Sequence, residues 1–365
     1  MISLSKPQNL QKVLPREKKI CYSKKDAPFA LDGQKGGTKK GPPASLENWR
    51  EGIQRMKKTT IWIDCDPGID DAVALAMAAA SRDQLRILGI SSVAGNQVSD
   101  RVTENARRLA AFYGMEDVPV VRGAREPLLK VPETAASVHG ESGLGNCRLP
   151  DTDKPLASEN GVAYMAQAIE ALPEGETLTL VPVGPLTNIA LLLKVFPQVR
   201  AKIERIVLMG GSASGGNHSA SAEFNIWADP EAAQIVFQSG LPIVMCGLDV
   251  THQSGLYPEQ VEALLRSEKP VEHAVGEMLS FYADTSSRGR TVACIHDAVT
   301  ILYLTNPELF GGEWASVQVD CTNDINRGMT VCDRRAKTSP KPVLVLNQVD
   351  LPGFQKVMLE KLASI

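Results

Sequence analysis

The sequence has no apolar run near the roughly 18 residues that cross a bilayer; its longest, around Ala72–Ala80, is about half that. No spanning helix is therefore expected. The N-terminus also lacks the order of a secretory signal, in which positive charge precedes an apolar segment and small residues. Cysteine is scarce: seven residues in 365, odd in number and without a CxxC pair. That usage argues against a zinc site or a disulfide framework and fits free thiols in a reducing compartment, so a cytoplasmic location is expected. A large excess of one charge is missing too, since the net charge is −3. The even total hides an asymmetry. Residues 1–58 carry 14 Lys/Arg against 5 Asp/Glu, a net of +9, and the rest carry 25 against 37, a net of −12.

Those first 58 residues show no sustained periodicity and hold turn-formers at Gly33, Gly36-Gly37 and Gly41-Pro42-Pro43. They read as a basic, disordered extension with a short helix over 45–58. A nucleic-acid arm or an organelle-targeting segment is the competing reading. The segment has too many acidic residues and too little Arg for a good transit peptide, which favours a solvated tail but leaves targeting open. Neither a nucleic-acid partner nor a membrane partner is expected.

From Thr59 onward, short β-branched runs alternate with helical stretches. Strands are predicted over 59–63, 85–93, 118–122, 178–182, 203–209 and 243–246, and later over 314–319, 329–331 and 342–346. Helices are predicted between them, notably over 71–80, 99–113, 161–172, 188–195, 230–239, 258–266, 272–283, 296–304 and 352–363. Strands apolar on both faces, alternating with helices, mean an α/β domain: an open, mostly parallel, doubly wound sheet with helices on both faces. No linker or internal repeat interrupts residues 59–365, so they are taken as one domain.

Against that background one stretch stands out. Asp64-Cys65-Asp66-Pro67-Gly68-Ile69-Asp70-Asp71 places four aspartates in eight residues where a strand meets a helix. Like charges this close repel, and a divalent cation relieves them. The place is also where open α/β sheets put their active sites, outside the carboxyl end of a strand. Helix capping would account for one aspartate but not for four. Phosphatases of the haloacid-dehalogenase kind also begin with DxD after a strand, but Pro67-Gly68 follows Asp66 and their downstream Lys and acidic pair are not evident.

Asp64–Ala72 resembles the DxDPGxDDA signature of the inosine–uridine preferring nucleoside hydrolases. Further pieces follow in that family's order: Gly95-Asn96, His139–Leu144 (HGESGL), Val181–Asn188 (VPVGPLTN), Leu208–Gly211, Asn217, Glu223–Asn225 with Asp229–Ala233, Asp249–His252 and His296-Asp297. The resemblance implies a Rossmann-like nucleoside hydrolase fold and hydrolysis of the N-glycosidic bond of uridine- or inosine-like ribonucleosides, in nucleoside salvage. The same site acting on a modified nucleoside or a ribosyl-nicotinate compound is an alternative, as is a non-catalytic nucleoside-binding protein.

The resemblance further implies Ca²⁺ held by Asp66, Asp71, Asp297 and the Val183 carbonyl, with Asp70 as general base and His296 as the acid for the departing base. It implies ribose contacts from Asn96, Met209, Asn217, Glu223, Asn225 and Asp297, with His139 lining the base pocket. The partner would be a small-molecule ribonucleoside, and the assembly a homodimer or homotetramer. The chain departs from the family where Val183 replaces the usual Thr and Ala298 the usual Pro. A main-chain ligand survives the first change. Of the other histidines, His273 is expected to be solvated, His218 to be a loop neighbour of Asn217, and His252 to fix a loop. Trp227 is expected to pack rather than stack on a base.

Overall fold

In a computed structural model, residues 58–286, 292–335, 337, 340 and 342–365 are described. The expected extension and the helix over 45–58 lie outside these, except for Lys58.

The strands are β1 (Thr59–Cys65), β2 (Leu85–Ser92), β3 (Val120–Arg122), β4 (Leu178–Pro182), β5 (Ile203–Met209), β6 (Ile243–Cys246), β7 (Gly255–Leu256), β8 (Ala293–Cys294), β9 (Phe310–Val319), β10 (Thr330–Asp333) and β11 (Val343–Val349). The α-helices are α1 (Ile69–Ala80), α2 (Ser99–Phe112), α3 (Ala136–His139), α4 (Gly161–Glu170), α5 (Thr187–Val195), α6 (Phe224–Ala228), α7 (Pro230–Phe237), α8 (Leu248–Thr251), α9 (Pro258–Leu265), α10 (Pro270–Ser286), α11 (Ala298–Thr305) and α12 (Leu351–Leu362). Among the described residues, no helix is long and apolar enough to cross a membrane.

Among the described residues, nine strands form one sheet in the order β10-β9-β11-β6-β5-β4-β1-β2-β3. From β3 to β11 every neighbour is parallel, and β9 and β10 add an antiparallel edge. The chain winds outward from β1 to β3, then returns to place β4 on the other side of β1. The strand order therefore reverses between β1 and β4. A crevice opens at such a reversal, because the following helices leave for opposite faces of the sheet.

Side chains alternate across a strand, and β1 shows the result. Ile61, Ile63 and Cys65 join the apolar cluster with α1, α10, α11 and α12. Trp62 faces the other cluster, with α4, α5 and α7. Trp62 is fully buried, and Gly89 leaves room for its ring: a Cβ there would lie 2.5 Å from the indole. Truncating Trp62 to Ala would be expected to cost about 3–5 kcal/mol. Helix α1 is apolar almost all round, so it is covered on the sheet side and from outside.

The long elements fall where the periodicity places them. Two differences have local causes. Helix α1 begins at Ile69 rather than Asp71, because the Asp71 carboxylate accepts the Gly68 N–H at 2.9 Å and closes the first turn back to Gly68. Strand β9 begins at Phe310, ahead of the expected Trp314, because β11 pairs with Gly311 and Gly312 across an irregular register.

Candidate active site

The site lies at the carboxyl ends of β1 and β4, beside the reversal. Asp66 and the turn of Pro67-Gly68 follow β1, and Asp70 and Asp71 occupy the first turn of α1. Across the crevice, Val183 follows β4, and Asp297 immediately precedes α11. All four aspartates are buried.

Their surroundings differ. Asp71 is fully engaged: Oδ1 accepts the Asp66 N–H at 3.0 Å, and Oδ2 accepts the Gly68 N–H and the Asn96 side-chain amide at 3.0 Å. Asp66 Oδ2 accepts the Asn96 N–H at 2.6 Å, whereas Asp66 Oδ1 and Asp70 Oδ1 are buried without a hydrogen-bond partner. The Asp66 carboxylate is gripped closely: a Cβ at Gly95 would come within 2.1 Å of Oδ2 and one at Gly184 within 2.5 Å of Oδ1. Oxygens of Asp70, Asp71 and Asp297 lie within 4.8 Å of one another.

Burying several carboxylates together raises every pKa, first by desolvation and then by mutual repulsion. Burial and Asp71 lift Asp66 well above the usual carboxylate range. Burial followed by the charges of Asp70 and Asp71 does the same for Asp297. Asp71 rises by burial, against the N–H groups of Gly68 and Asp66. Asp70 is pushed up to about 8, mainly by burial and then by Asp71. A cluster with two buried, partnerless carboxylate oxygens and only hard oxygen donors fits a divalent cation. Asp70, Asp71 and Asp297 form the compact acidic group, and Asp66 adds an oxygen with no other partner.

Above this floor is a cavity of about 240 Å³ lined by Asp70, Asn96, His139, Val183, Met209, Asn217, Glu223, Asn225, His296 and Asp297, among others. Every residue expected at the site lines it except Asp66 and Asp71, which lie fully buried. Glu223 caps α6: Oε1 accepts the Asn225 N–H at 2.9 Å, and Oε2 accepts the Gly211 and Ile226 N–H groups at 2.9 and 3.2 Å. Asn225 turns its amide back to the Val183 carbonyl at 2.8 Å. A carbonyl oxygen has two lone pairs, so this contact leaves one for a further ligand. Asn217 Oδ1 accepts the Phe224 N–H at 2.9 Å, and Met209 Sδ lies 3.4 Å from the Asn225 amide.

The opposite wall is imidazole-rich. His296 Nδ1 lies 2.7 Å from the Thr251 hydroxyl. His139, at the end of α3, accepts the Ile69 N–H at its Nδ1, 3.1 Å away. Its other nitrogen therefore carries the ring hydrogen, and burial lowers its pKa to about 3, so it is neutral near pH 7. Tyr282 of α10 stacks on His139 with centroids 5.4 Å apart and meets His296 edge-on at 6.5 Å.

His252 departs from expectation, while His218 sits in the loop beside Asn217 as expected. His252 lines the cavity, its ring edge-on to His296 at 5.7 Å, rather than only fixing a loop. His218 also lines it, stacked on Trp227 at 3.6 Å. Trp227 packs as expected, against His218 and under the Lys130 ammonium. Sequence reasoning also passed over Thr134, Ala135, Ser137 and Val138, which form another part of the lining. The only signal for that segment was its nearness to His139.

A family model described as inosine-uridine preferring nucleoside hydrolase matches residues 61–356. The chain is 44% identical over 307 residues to a protein of Shewanella sp. (strain MR-7) described as the pyrimidine-specific ribonucleoside hydrolase RihA, covering 83% of this chain and 96% of that one. A protein of Citrobacter koseri with the same description is 42% identical over 307 residues, covering 83% of this chain and 97% of its own. Among solved structures, a purine-preferring ribonucleoside hydrolase from Gardnerella vaginalis matches with TM-score 0.77 and 30% identity, over 84% of this chain and 98% of that one. A plant nucleoside hydrolase matches with TM-score 0.78 and 30% identity, over 84% and 99%.

Proposed function

The chain belongs to the inosine-uridine preferring nucleoside hydrolase family and is a ribonucleoside hydrolase; from that premise we propose that it is Ca²⁺-dependent and prefers pyrimidine ribonucleosides such as uridine. The observation that carries the ion is the pair of buried, partnerless oxygens of Asp66 and Asp70 in the acidic floor. The base preference is supported by the pyrimidine-specific description of relatives at 42–44% identity.

Asp66, Asp71, Asp297 and the Val183 carbonyl are assigned to hold the ion, which when bound supplies Lewis acidity and offsets the negative charge of the floor. Hydrolysis breaks the bond between C1′ and the base nitrogen, whose electron pair leaves with the base. A water oxygen closes on C1′ as the ribosyl group passes through an oxocarbenium-like state. Asp70 takes the proton from that water. Asp70 lines the cavity and its Oδ1 has no hydrogen-bond partner, so that oxygen can accept the proton. His296, oriented by Thr251, gives a proton to the departing base. His139 stays neutral and serves as a hydrogen-bond donor to the base. Asn217 and Glu223 are assigned to the 5′ side of the ribose. Asn96, Asn225 and Asp297 are assigned to its secondary hydroxyls, with Met209 packing beneath.

We place the activity in nucleoside salvage, in the cytoplasm, and in a homodimer or homotetramer. The reducing compartment is supported by the free thiols of Cys65, Cys147, Cys246, Cys294, Cys321 and Cys332. A panel of uridine, cytidine, inosine, a modified nucleoside and a ribosyl-nicotinate compound, scored for ribose release, tests the substrate class. Uridine and cytidine are expected to be cleaved fastest. Faster release from the modified compounds would replace the substrate, and binding without release from any would contradict the reaction.

A further inference from the structure

Two motif residues take no part in the reaction above: Asp64, the first of the four aspartates, and Asn188, which ends the Val181–Asn188 run. Both are fully buried. Asp64 lies in β1, two residues before Asp66, which follows the strand's end. Its Oδ1 accepts the Asn188 side-chain amide at 2.7 Å and the Ser91 hydroxyl, and Ser91 in turn accepts the Trp62 indole N–H at 2.9 Å. The second Asn188 amide hydrogen goes to the Ser92 carbonyl at 3.0 Å, and its Oδ1 accepts the Ala124 N–H at 2.7 Å. From the start of α5, one side chain therefore ties β1, the end of β2 and the segment beyond β3. Gly123 permits the approach, since a Cβ there would lie 2.2 Å from the Asn188 amide nitrogen. The link to the site is direct: the Asp64 carbonyl accepts the Val183 N–H at 2.8 Å.

We infer that Asp64 and Asn188 are positioning residues, a buried brace holding the strand ends across the crevice so that Asp66 and the Val183 carbonyl keep the spacing the ion requires. This rests on the ion site proposed above. The two act as one unit, because removing either leaves the other buried and short of a partner.

The test is Ca²⁺ titration by calorimetry of chelator-stripped full-length protein, with kcat and KM for uridine measured alongside. Asn188→Ala and Asp64→Ala are each expected to weaken Ca²⁺ binding about tenfold or more, with the double variant no weaker than either single one. Ser91→Ala, a milder change that tests the same brace if those variants do not fold, is expected to weaken binding a few-fold. Leu264→Ala opens an apolar cavity in α9, which carries no residue of the brace, and is the control for general loosening. It is expected to leave Ca²⁺ affinity unchanged. The inference is overturned if folded variants of the brace bind Ca²⁺ as tightly as the wild type, or if Leu264→Ala weakens binding as much as they do. A wild type that binds no Ca²⁺ removes the ion-site reading itself and this inference with it.

Discussion

Asp70 and Asp71 are adjacent carboxylates with different partners, and we propose different tasks for them. Asp71 accepts hydrogen bonds at both oxygens, while Asp70 Oδ1 has none. Asp70→Asn is therefore expected to lower ribose release about a thousandfold while Ca²⁺ still binds, as calorimetry would record; unchanged turnover would remove Asp70 as base. For His296, the discriminating substrate is a nitrophenyl riboside, whose leaving group needs no proton. His296→Ala is expected to damage uridine cleavage far more than cleavage of that riboside, and equal losses would exclude an acid role. His139 makes a pH prediction. Its folded pKa of about 3 lies below the ordinary 6.5, so between those values the unfolded chain binds the extra proton and stability falls as pH falls. That stability is fully present above about 6.5. His139→Gln should remove about 2 kcal/mol of the stability difference between pH 7 and pH 5, read from urea unfolding. Parallel profiles for the two proteins would refute it.

At the scale of elements, the site depends on short pieces fixed by distant partners. Asp229 is an example: it caps α7 through the Ala232 N–H at 3.1 Å and also accepts the Thr187 hydroxyl at 2.7 Å and the Leu128 N–H at 2.8 Å. Asp229→Ala is expected to lower unfolding stability by about 2–4 kcal/mol while Asp229→Asn recovers much of it, as denaturant titration would show; a neutral Asp229→Ala would contradict this joining role. The same dependence explains what the sequence made legible. Strands such as β4 and β5 and long helices such as α2 announce themselves, because apolar residues repeat with the period of the element. Helices α3, α6 and α8, of four or five residues, carry no period. Glu223 starts α6 by accepting the N–H groups of Asn225 and Ile226, and periodicity does not register such a cap. Asp66, Asp70 and Asp71 of the acidic floor are legible because they lie close together in sequence, whereas Asp297, far along the chain, enters only through the family resemblance. The places of His252 and His218 in the lining are not legible, because they are set by contacts such as the Cys294 thiol to the His252 carbonyl and the Trp227 stack.

At the scale of the molecule, a mostly parallel sheet whose strand order reverses between β1 and β4 sets those strands side by side, and the segment before α11 returns late in the chain to complete the acidic floor. The matched family region, 61–356, lies wholly beyond the basic extension. We propose that the catalytic domain is residues 59–365 and that residues 1–58 take no part in catalysis. A chain starting at Met56 should then keep kcat/KM for uridine within about threefold, and a large loss would give the extension a part in the site or in assembly. The proposed reaction as a whole stands on the cation. Its most direct test is ribose release from uridine by chelator-stripped protein, before and after Ca²⁺ is restored. The expected result is activity that vanishes on stripping and returns as one Ca²⁺ binds per chain; full activity in protein shown to hold no metal would contradict it.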